Sequence, residues 1–122
     1  MWPFRRRDPL GRRGERLAEK TLKAAGCRIL ARNYRCPAGE ADLIGLLGDT
    51  LVFAEVKTRS DDTYTTPQAA VDSAKRDRYR KVARYYLQQI GRDDLTVRFD
   101  VVAIVLRPGE KPQIRHIPDA FT

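Results

Sequence analysis

The stretch GEADLIGLLGDTLVFAEVKTR, residues Gly39–Arg59, has the pattern of two β-strands joined by a tight turn. Apolar residues recur along both halves, and the Gly48-Asp49 pair between them is typical of a two-residue hairpin turn. Facing residues in such a hairpin lie at equal distances from the turn, so Asp42 faces Glu55. The stretch therefore predicts an antiparallel hairpin in which two carboxylates oppose each other.

The two faces of this hairpin differ in charge, because alternate side chains of a strand point to the same face. One face is apolar near the turn and charged beyond it, whereas the other carries no charge and is expected to pack beneath a helix. The first face consists of Glu40, Asp42, Ile44 and Leu46 together with Leu51, Phe53, Glu55 and Lys57. The second consists of Ala41, Leu43, Leu47, Val52, Ala54 and Val56.

Two facing carboxylates destabilise a sheet by their repulsion unless a cation lies between them. Mg²⁺ would suit the position, because it prefers oxygen ligands at about 2.0–2.1 Å and often takes one or two carboxylates plus a substrate phosphate. Asp42 and Glu55 supply that number of ligands, and Lys57 on the same face could stabilise charge on a phosphoryl group. An alternative interpretation is a solvated face on which Glu40 pairs with Lys57 across the strands.

The remaining sequence predicts two or three helices and three more strands. Apolar residues at helical spacing indicate helices from about Arg12 to Ala25 and from about Asp72 to Ile90, followed by Gly26 and Gly91. Thr66 and Pro67 resemble the start of a short helix. Further strands are expected within residues 27–36, 95–107 and 113–117. This order predicts an α/β fold with a mixed central β-sheet of about five strands flanked by helices.

The chain of 122 residues is long enough for one domain with its own core. Residues 1–11 are rich in arginine and lack periodicity, which predicts a basic flexible N-terminal arm before a single domain at 12–122. Cys27 and Cys36 would lie about 30 Å apart along an extended strand, too far for a disulfide. With one histidine in the chain, the ligands for a structural zinc site are also lacking.

The charge balance predicts a polyanionic partner. Lys and Arg number 24 against 16 Asp and Glu, which gives a formal charge of +8. Candidate nucleic-acid contacts are Arg59 after the hairpin and Lys75, Arg76, Arg78 and Arg80 on the second long helix, although such a basic face can also be plain solvated surface. Asp100 is expected to be a buried partner for a nearby arginine, and His116 to be exposed on an edge strand.

The chain is expected to be cytoplasmic and not to enter a membrane. No apolar run approaches the roughly 18 residues of a membrane span, and the first residues lack the apolar centre of a signal peptide.

Four segments taken together, GERLAEKTLKAAGCRILARNYR, GEADLIGLLGDTLVFAEVKTR, AVDSAKRDRYRKVARYYL and RFDVVAIV, resemble the YraN-like bacterial family. That family is assigned to the restriction-endonuclease-like PD-(D/E)xK superfamily and is similar to Holliday-junction resolvases. The resemblance implies a nuclease core with Mg²⁺ or Mn²⁺ as cofactor. It assigns Asp42 and Glu55 as metal ligands and Lys57 as the motif lysine.

The resemblance also implies roles for three residues outside that central set. Glu15 matches the acidic residue that resolvase-like members bring from the first helix, and it would be a further metal ligand. Glu40 and Gln68 are possible accessory residues. The proline of the superfamily's name is replaced here by Ala41, a position that varies across the superfamily.

The function expected from these residues is Mg²⁺-dependent endonuclease activity on branched or structured DNA. A non-catalytic nucleic-acid-binding domain with a vestigial metal site is the alternative, and a basic protein that docks on an anionic membrane or a protein partner is a third possibility. Resolvase analogy suggests a homodimer, because a four-way junction has two strands to cut symmetrically.

Overall fold

The computed structural model describes residues 9–60 and 72–122, and within them it contains two helices and five strands. Helix α1 covers Pro9–Ala24 and helix α2 covers Ser73–Ile90. The strands are β1 (Arg28–Cys36), β2 (Gly39–Leu47), β3 (Thr50–Arg59), β4 (Thr96–Val105) and β5 (Gln113–Phe121). The predicted α/β fold is confirmed. The Arg5–Arg7 segment, Gln68 and the short helix expected at Thr66-Pro67 lie outside the described residues.

The five strands form one mixed sheet in the order β1-β2-β3-β4-β5. Strands β3 and β4 are parallel, and the other three neighbouring pairs are antiparallel. Two consecutive parallel strands need a crossover connection, and the segment that contains α2 provides it. Helix α1 packs against one face of the sheet and α2 against the other, as expected for a restriction-endonuclease-like core.

The register of the central hairpin agrees with the prediction. Residues pair from Leu43 with Ala54 to Leu47 with Thr50, and Gly48 in the turn has a φ of 60°. Ala41 departs from its predicted face, because it packs in the cluster on the α2 side. It pairs with Tyr34 of β1, which packs in the same cluster. Asn33 precedes Tyr34 and has a positive φ of 51°, which interrupts the alternation of faces at this point.

Each sheet face buries its own apolar cluster, which explains why the central strands are apolar on both sides. The cluster on the α2 side includes Ile44, Leu51, Phe53, Tyr79 and Phe99. The cluster on the α1 side includes Leu22, Leu43, Val52, Ala54 and Val102.

Helix α1 begins earlier than the sequence indicated. Residues 9–11, which were assigned to the flexible arm, form its first turn. Proline suits that position, because its fixed φ is helical and its missing N–H would have no partner in the first turn, and Leu10 packs against the cluster on the α1 side. The helix ends before Gly26, whose φ is 101°. No helix in the described ranges is long and apolar enough to cross a membrane.

Asp100 is fully buried and has several partners. Arg98 donates two hydrogen bonds of 2.9 Å to its carboxylate, and Nε2 of His116 lies 2.7 Å from its Oδ2. The backbone N–H of Asp119, a residue with a φ of 54°, donates at 3.0 Å where β5 has extra residues opposite Asp100. Arg98 is thus the arginine partner that was expected for Asp100. The expected exposure of His116 is wrong, because its ring lies against the buried carboxylate of Asp100.

Candidate functional site

Asp42 lies where the β2–β3 pairing ends. The residue is 8% exposed, and its Oδ2 accepts a hydrogen bond of 2.8 Å from the backbone N–H of Val56. The Asp42 side chain therefore accepts the N–H of Val56 in place of a backbone carbonyl. The hydrogen bond ties Asp42 to the strand that carries the other predicted metal ligand.

Glu55 is also 8% exposed, and both of its oxygens have partners on neighbouring elements. The phenol of Tyr79 donates to Oε2 at 2.8 Å. Oε1 lies 3.2 Å from Nζ of Lys75 and 3.6 Å from Nζ of Lys57. Helix α2 therefore supplies two of the three groups that surround this carboxylate, and β3 supplies the third.

The protonation of these groups follows from their burial and their neighbours. Burial, and then the hydrogen bond with Lys75, lowers the pKa of Lys57. Burial also raises the pKa of Tyr79 well above its usual value, and the negative charges of Asp42 and Glu55 add to the effect. The phenol thus keeps its proton and remains a hydrogen-bond donor to Glu55.

The two carboxylates fit a divalent ion of the Mg²⁺ or Mn²⁺ type. A carboxylate has about four acceptor positions, so Glu55 keeps capacity for a metal beside its bonds to Tyr79 and Lys75. Such ions commonly take one or two protein carboxylates. Within residues 9–60 and 72–122, no group of three or more His, Cys, Asp or Glu side chains could hold a metal ion. Within these ranges Glu15 therefore does not join Asp42 and Glu55 in one group.

Glu15 is the predicted ligand that the structure does not bring into this group. It is half-buried on α1, and it lines a cavity of about 670 Å³ together with Arg12, Arg16, Glu19, Arg32, Asn33 and Leu43. Helix α1 approaches β3 closely next to Glu15. The close approach is shown by Gly14, where an added Cβ would lie 1.9 Å from Oγ1 of Thr58. Glu15 is thus placed on the α1 side of the sheet, whereas the partners of Glu55 come from α2.

The two accessory candidates have different outcomes. Glu40 forms an ion pair of 3.2 Å with Arg35 on β1, while Lys57 forms its ion pair with Glu55. The cross-strand pair of Glu40 and Lys57 that the sequence suggested is replaced by these two, because pairing of β2 with β3 stops before it reaches them. Gln68 lies outside the described residues.

The basic face of α2 is exposed, apart from Lys75. Arg76, Arg78 and Arg80 are exposed on the helix, as are Lys81 and Arg84. Arg80 and Lys81 form ion pairs with Asp77, and Arg80 also donates to the carbonyl of Thr122. Lys75 turns inward to Glu55, and Arg59 is half-buried and donates to the Thr58 carbonyl at 2.8 Å.

The sequence interpretation missed the roles of Tyr79 and Lys75 in this site. Lys75 was expected on the nucleic-acid surface, and Tyr79 was not among the candidate site residues. Residues four apart on a helix lie on the same face, so the spacing of Lys75 and Tyr79 could have indicated that α2 presents both to one carboxylate. Asp72 is the N-cap of α2, and its side chain accepts from the backbone N–H of Lys75 at 2.9 Å. This cap fixes where the helix begins, just before Lys75.

The five-stranded sheet with a helix on each face is an α/β fold consistent with a restriction-endonuclease-like core, and it carries the buried carboxylates Asp42 and Glu55. The chain belongs to the uncharacterised protein family UPF0102, whose model matches residues 14–104. This confirms the resemblance to the YraN-like proteins.

Several curated members of the family are similar to the chain over most of its length. A UPF0102 protein of Syntrophus aciditrophicus is 49% identical over 91% of this chain and 87% of its own length. One from Rhodococcus opacus is 49% identical over 92% of this chain and 95% of its own length. A third, from Geobacter sulfurreducens, is 45% identical over 92% of this chain and 88% of its own length. These names state no activity.

Proposed function

We propose that the protein is an endonuclease that hydrolyses phosphodiester bonds in branched or structured DNA with Mg²⁺ or Mn²⁺. The observation that carries this proposal is a pair of buried carboxylates, of which Asp42 accepts from the backbone N–H of Val56 and Glu55 lies beside the ammonium group of Lys57. Ions of the Mg²⁺ type are usually held by one or two protein carboxylates together with substrate phosphate. Asp42 and Glu55 would supply these carboxylates.

Each site residue has a proposed role in the reaction. Asp42 and Glu55 would hold the ion, which when bound supplies Lewis acidity to the phosphoryl group and lowers the pKa of a water. Lys57 would orient the attacking water or stabilise the negative charge that grows on the phosphate oxygens. Lys75 lies against the same Glu55 oxygen, where it would balance the charge of this carboxylate.

The exposed arginines of α2 would hold the DNA backbone next to the site. Arg76 and Arg78 lie on the same helix as Lys75, and the whole chain carries a formal charge of +8. Phosphate contacts of this type position a duplex without reading its sequence. A two-fold dimer would present two such sites to the two strands of a junction, and the cytoplasm is the proposed setting because the DNA is there.

The experiment compares cleavage of a labelled four-way junction, a linear duplex and a single strand. Wild-type protein, Asp42→Asn and Glu55→Gln are assayed with Mg²⁺, Mn²⁺ or a chelator, and Asp77→Asn serves as a control because Asp77 is an exposed acid on α2. We expect metal-dependent cutting by the wild type and by the control, and binding without cutting by the two site variants. Equal cutting by all four proteins would show that the assigned site does not perform the reaction.

A non-catalytic nucleic-acid-binding domain is the second candidate, and one observation favours it. Lys57 and Lys75 already surround Glu55 with positive charge, so this carboxylate is paired without any bound cation. This candidate predicts DNA binding that is indifferent to divalent metal and no cleavage under any of the conditions above. Absence of all DNA binding would instead favour an anionic membrane or a protein partner.

A further inference from the structure

The resemblance to the nuclease family assigns no role to Tyr79, but this residue contacts the candidate site. The residue is 3% exposed, and its phenol donates to Oε2 of Glu55 at 2.8 Å. Resting on the proposed function, we propose that Tyr79 is a positioning residue that makes Glu55 a one-oxygen ligand and thereby favours Mg²⁺ or Mn²⁺ over Ca²⁺.

The phenol is held in one place by the rings around it. The Tyr79 ring meets the rings of Phe99 and Phe121 edge to face, with centroids 6.2 Å and 5.7 Å away. These two rings stack on each other at 5.1 Å, so they form a fixed wall from β4 and β5. Because Tyr79 cannot swing away without disturbing this wall, its hydroxyl fixes the position of Oε2.

The other oxygen of Glu55 is the one that faces the cations. Oε1 lies 3.2 Å from Nζ of Lys75 and 3.6 Å from Nζ of Lys57, whereas Oε2 points to the phenol. A metal ion that approaches from the side of the lysines would therefore meet Oε1. The bond from Tyr79 occupies one of the acceptor positions of Oε2 and holds this oxygen toward the phenol, which disfavours binding of one ion through both Glu55 oxygens.

This arrangement distinguishes ions by their coordination chemistry. Mg²⁺ demands a near-ideal octahedron with short bonds, whereas Ca²⁺ takes six to eight oxygens and readily accepts both oxygens of one carboxylate. A glutamate restricted to one oxygen suits the smaller ion. Partners that orient a metal-binding side chain typically change metal affinity by about 10- to 100-fold when they are removed.

The test measures metal affinity without DNA, using Tyr79→Phe and the matched control Tyr86→Phe. Tyr86 is a buried tyrosine on the same helix and in the same cluster, and it stacks edge to face on Phe53. Mn²⁺ binding is followed by electron paramagnetic resonance and Ca²⁺ binding by calorimetry. We expect Tyr79→Phe to weaken Mn²⁺ binding by about 10-fold or more and Ca²⁺ binding by less, and Tyr86→Phe to change neither.

Two results would overturn the inference, and both differ from failure of the proposed function. One is an unchanged ratio of Mn²⁺ to Ca²⁺ affinity in a folded Tyr79→Phe protein. The other, which needs no variant, is a crystal structure of the Mn²⁺-loaded wild type in which both Glu55 oxygens bind the ion. If the wild type binds neither ion, the proposed metal site itself is wrong, and this inference falls with it.

Discussion

Oδ2 of Asp42 accepts the backbone N–H of Val56 at 2.8 Å, directly beyond the last regular pair of β2 and β3, Leu43 with Ala54. One side chain thus has two tasks: it closes the hairpin where main-chain pairing ends, and it supplies a carboxylate to the candidate metal site. The two tasks use different properties, because the first needs an acceptor oxygen and the second needs negative charge.

Substitutions at Asp42 should separate these tasks. Asparagine keeps an acceptor oxygen, so we expect Asp42→Asn to change the free energy of unfolding by less than about 1 kcal/mol while it abolishes Mn²⁺ binding. Alanine leaves the Val56 N–H without its partner, which should cost about 1–3 kcal/mol. Urea unfolding and Mn²⁺ titration of both variants check this. Equal losses of stability would mean that the hydrogen bond to Val56 contributes little.

Gly14 should not tolerate a side chain, although it lies inside a helix. Alanine normally stabilises a helix interior relative to glycine by about 0.5–1 kcal/mol. Here the added Cβ would lie 1.9 Å from Oγ1 and 2.8 Å from Cγ2 of Thr58, so α1 would have to move off β3. We expect Gly14→Ala to lower the free energy of unfolding by about 1–3 kcal/mol, measured by urea denaturation.

A double variant tests the reason for this loss. Thr58→Ala removes the two closest atoms and leaves only the Cβ contact of 2.9 Å. We therefore expect Gly14→Ala with Thr58→Ala to recover part of the stability lost by Gly14→Ala alone. A loss that is unchanged in the double variant would place the cause in the helix itself.

The stability of the fold should depend on pH through Asp100. Burial alone would raise the pKa of this carboxyl, but the hydrogen bonds from Arg98, His116 and the Asp119 backbone lower it below its usual range. A carboxyl with a lowered pKa binds fewer protons in the folded state, so it stabilises the fold above its unfolded pKa of about 3.9 and loses this effect as the pH falls further.

Replacement of Asp100 by asparagine should show this dependence directly. We expect Asp100→Asn to lower the free energy of unfolding by up to about 3 kcal/mol near pH 7, because Arg98 then lacks its anionic partner. The difference between wild type and variant should shrink below about pH 4. Asp94→Asn is the control, since Asp94 also pairs with an arginine but is exposed, and it should have a much smaller effect. A difference that stays constant from pH 7 to pH 3 would contradict this assignment.

The sequence was sufficient for the features that depend on local pattern. The Gly48-Asp49 turn determined the register of Leu43 with Ala54, and that register pointed to Asp42 and Glu55 as neighbours at the end of the hairpin. Apolar residues on both faces of the hairpin near its turn correctly indicated a helix over each face. In each case the evidence lay within one strand or one hairpin, where side-chain direction follows from residue spacing.

The features that the sequence did not reveal depend on contacts between distant segments. His116 meets Asp100 only because β5 bulges around Asp119, and no local pattern marks such a bulge. The spacing of Glu15 places it at the edge of the apolar stripe of α1. The residues that it contacts depend on the face of the sheet against which α1 packs. Lys75 has basic neighbours in sequence, and only the packing of α2 turns it inward to Glu55.

Lys75 and Arg76 are adjacent in sequence but should have opposite effects when they are replaced. Lys75 lies 3.2 Å from Oε1 of Glu55, where it competes with a divalent ion, whereas Arg76 is exposed. We expect Lys75→Met to tighten Mn²⁺ binding by about fivefold, because a like charge near 4 Å costs about 1 kcal/mol even in water, and to leave the salt dependence of DNA binding unchanged. We expect Arg76→Met to leave Mn²⁺ binding unchanged and to reduce the slope of log affinity against log salt by about 0.9, the value for one phosphate contact.

Mn²⁺ titrations without DNA, and junction binding across a series of salt concentrations, measure the two effects separately. If Lys75→Met instead lowered the salt slope and left Mn²⁺ binding unaltered, Lys75 would be a phosphate contact, and its ion pair with Glu55 would have no bearing on the metal.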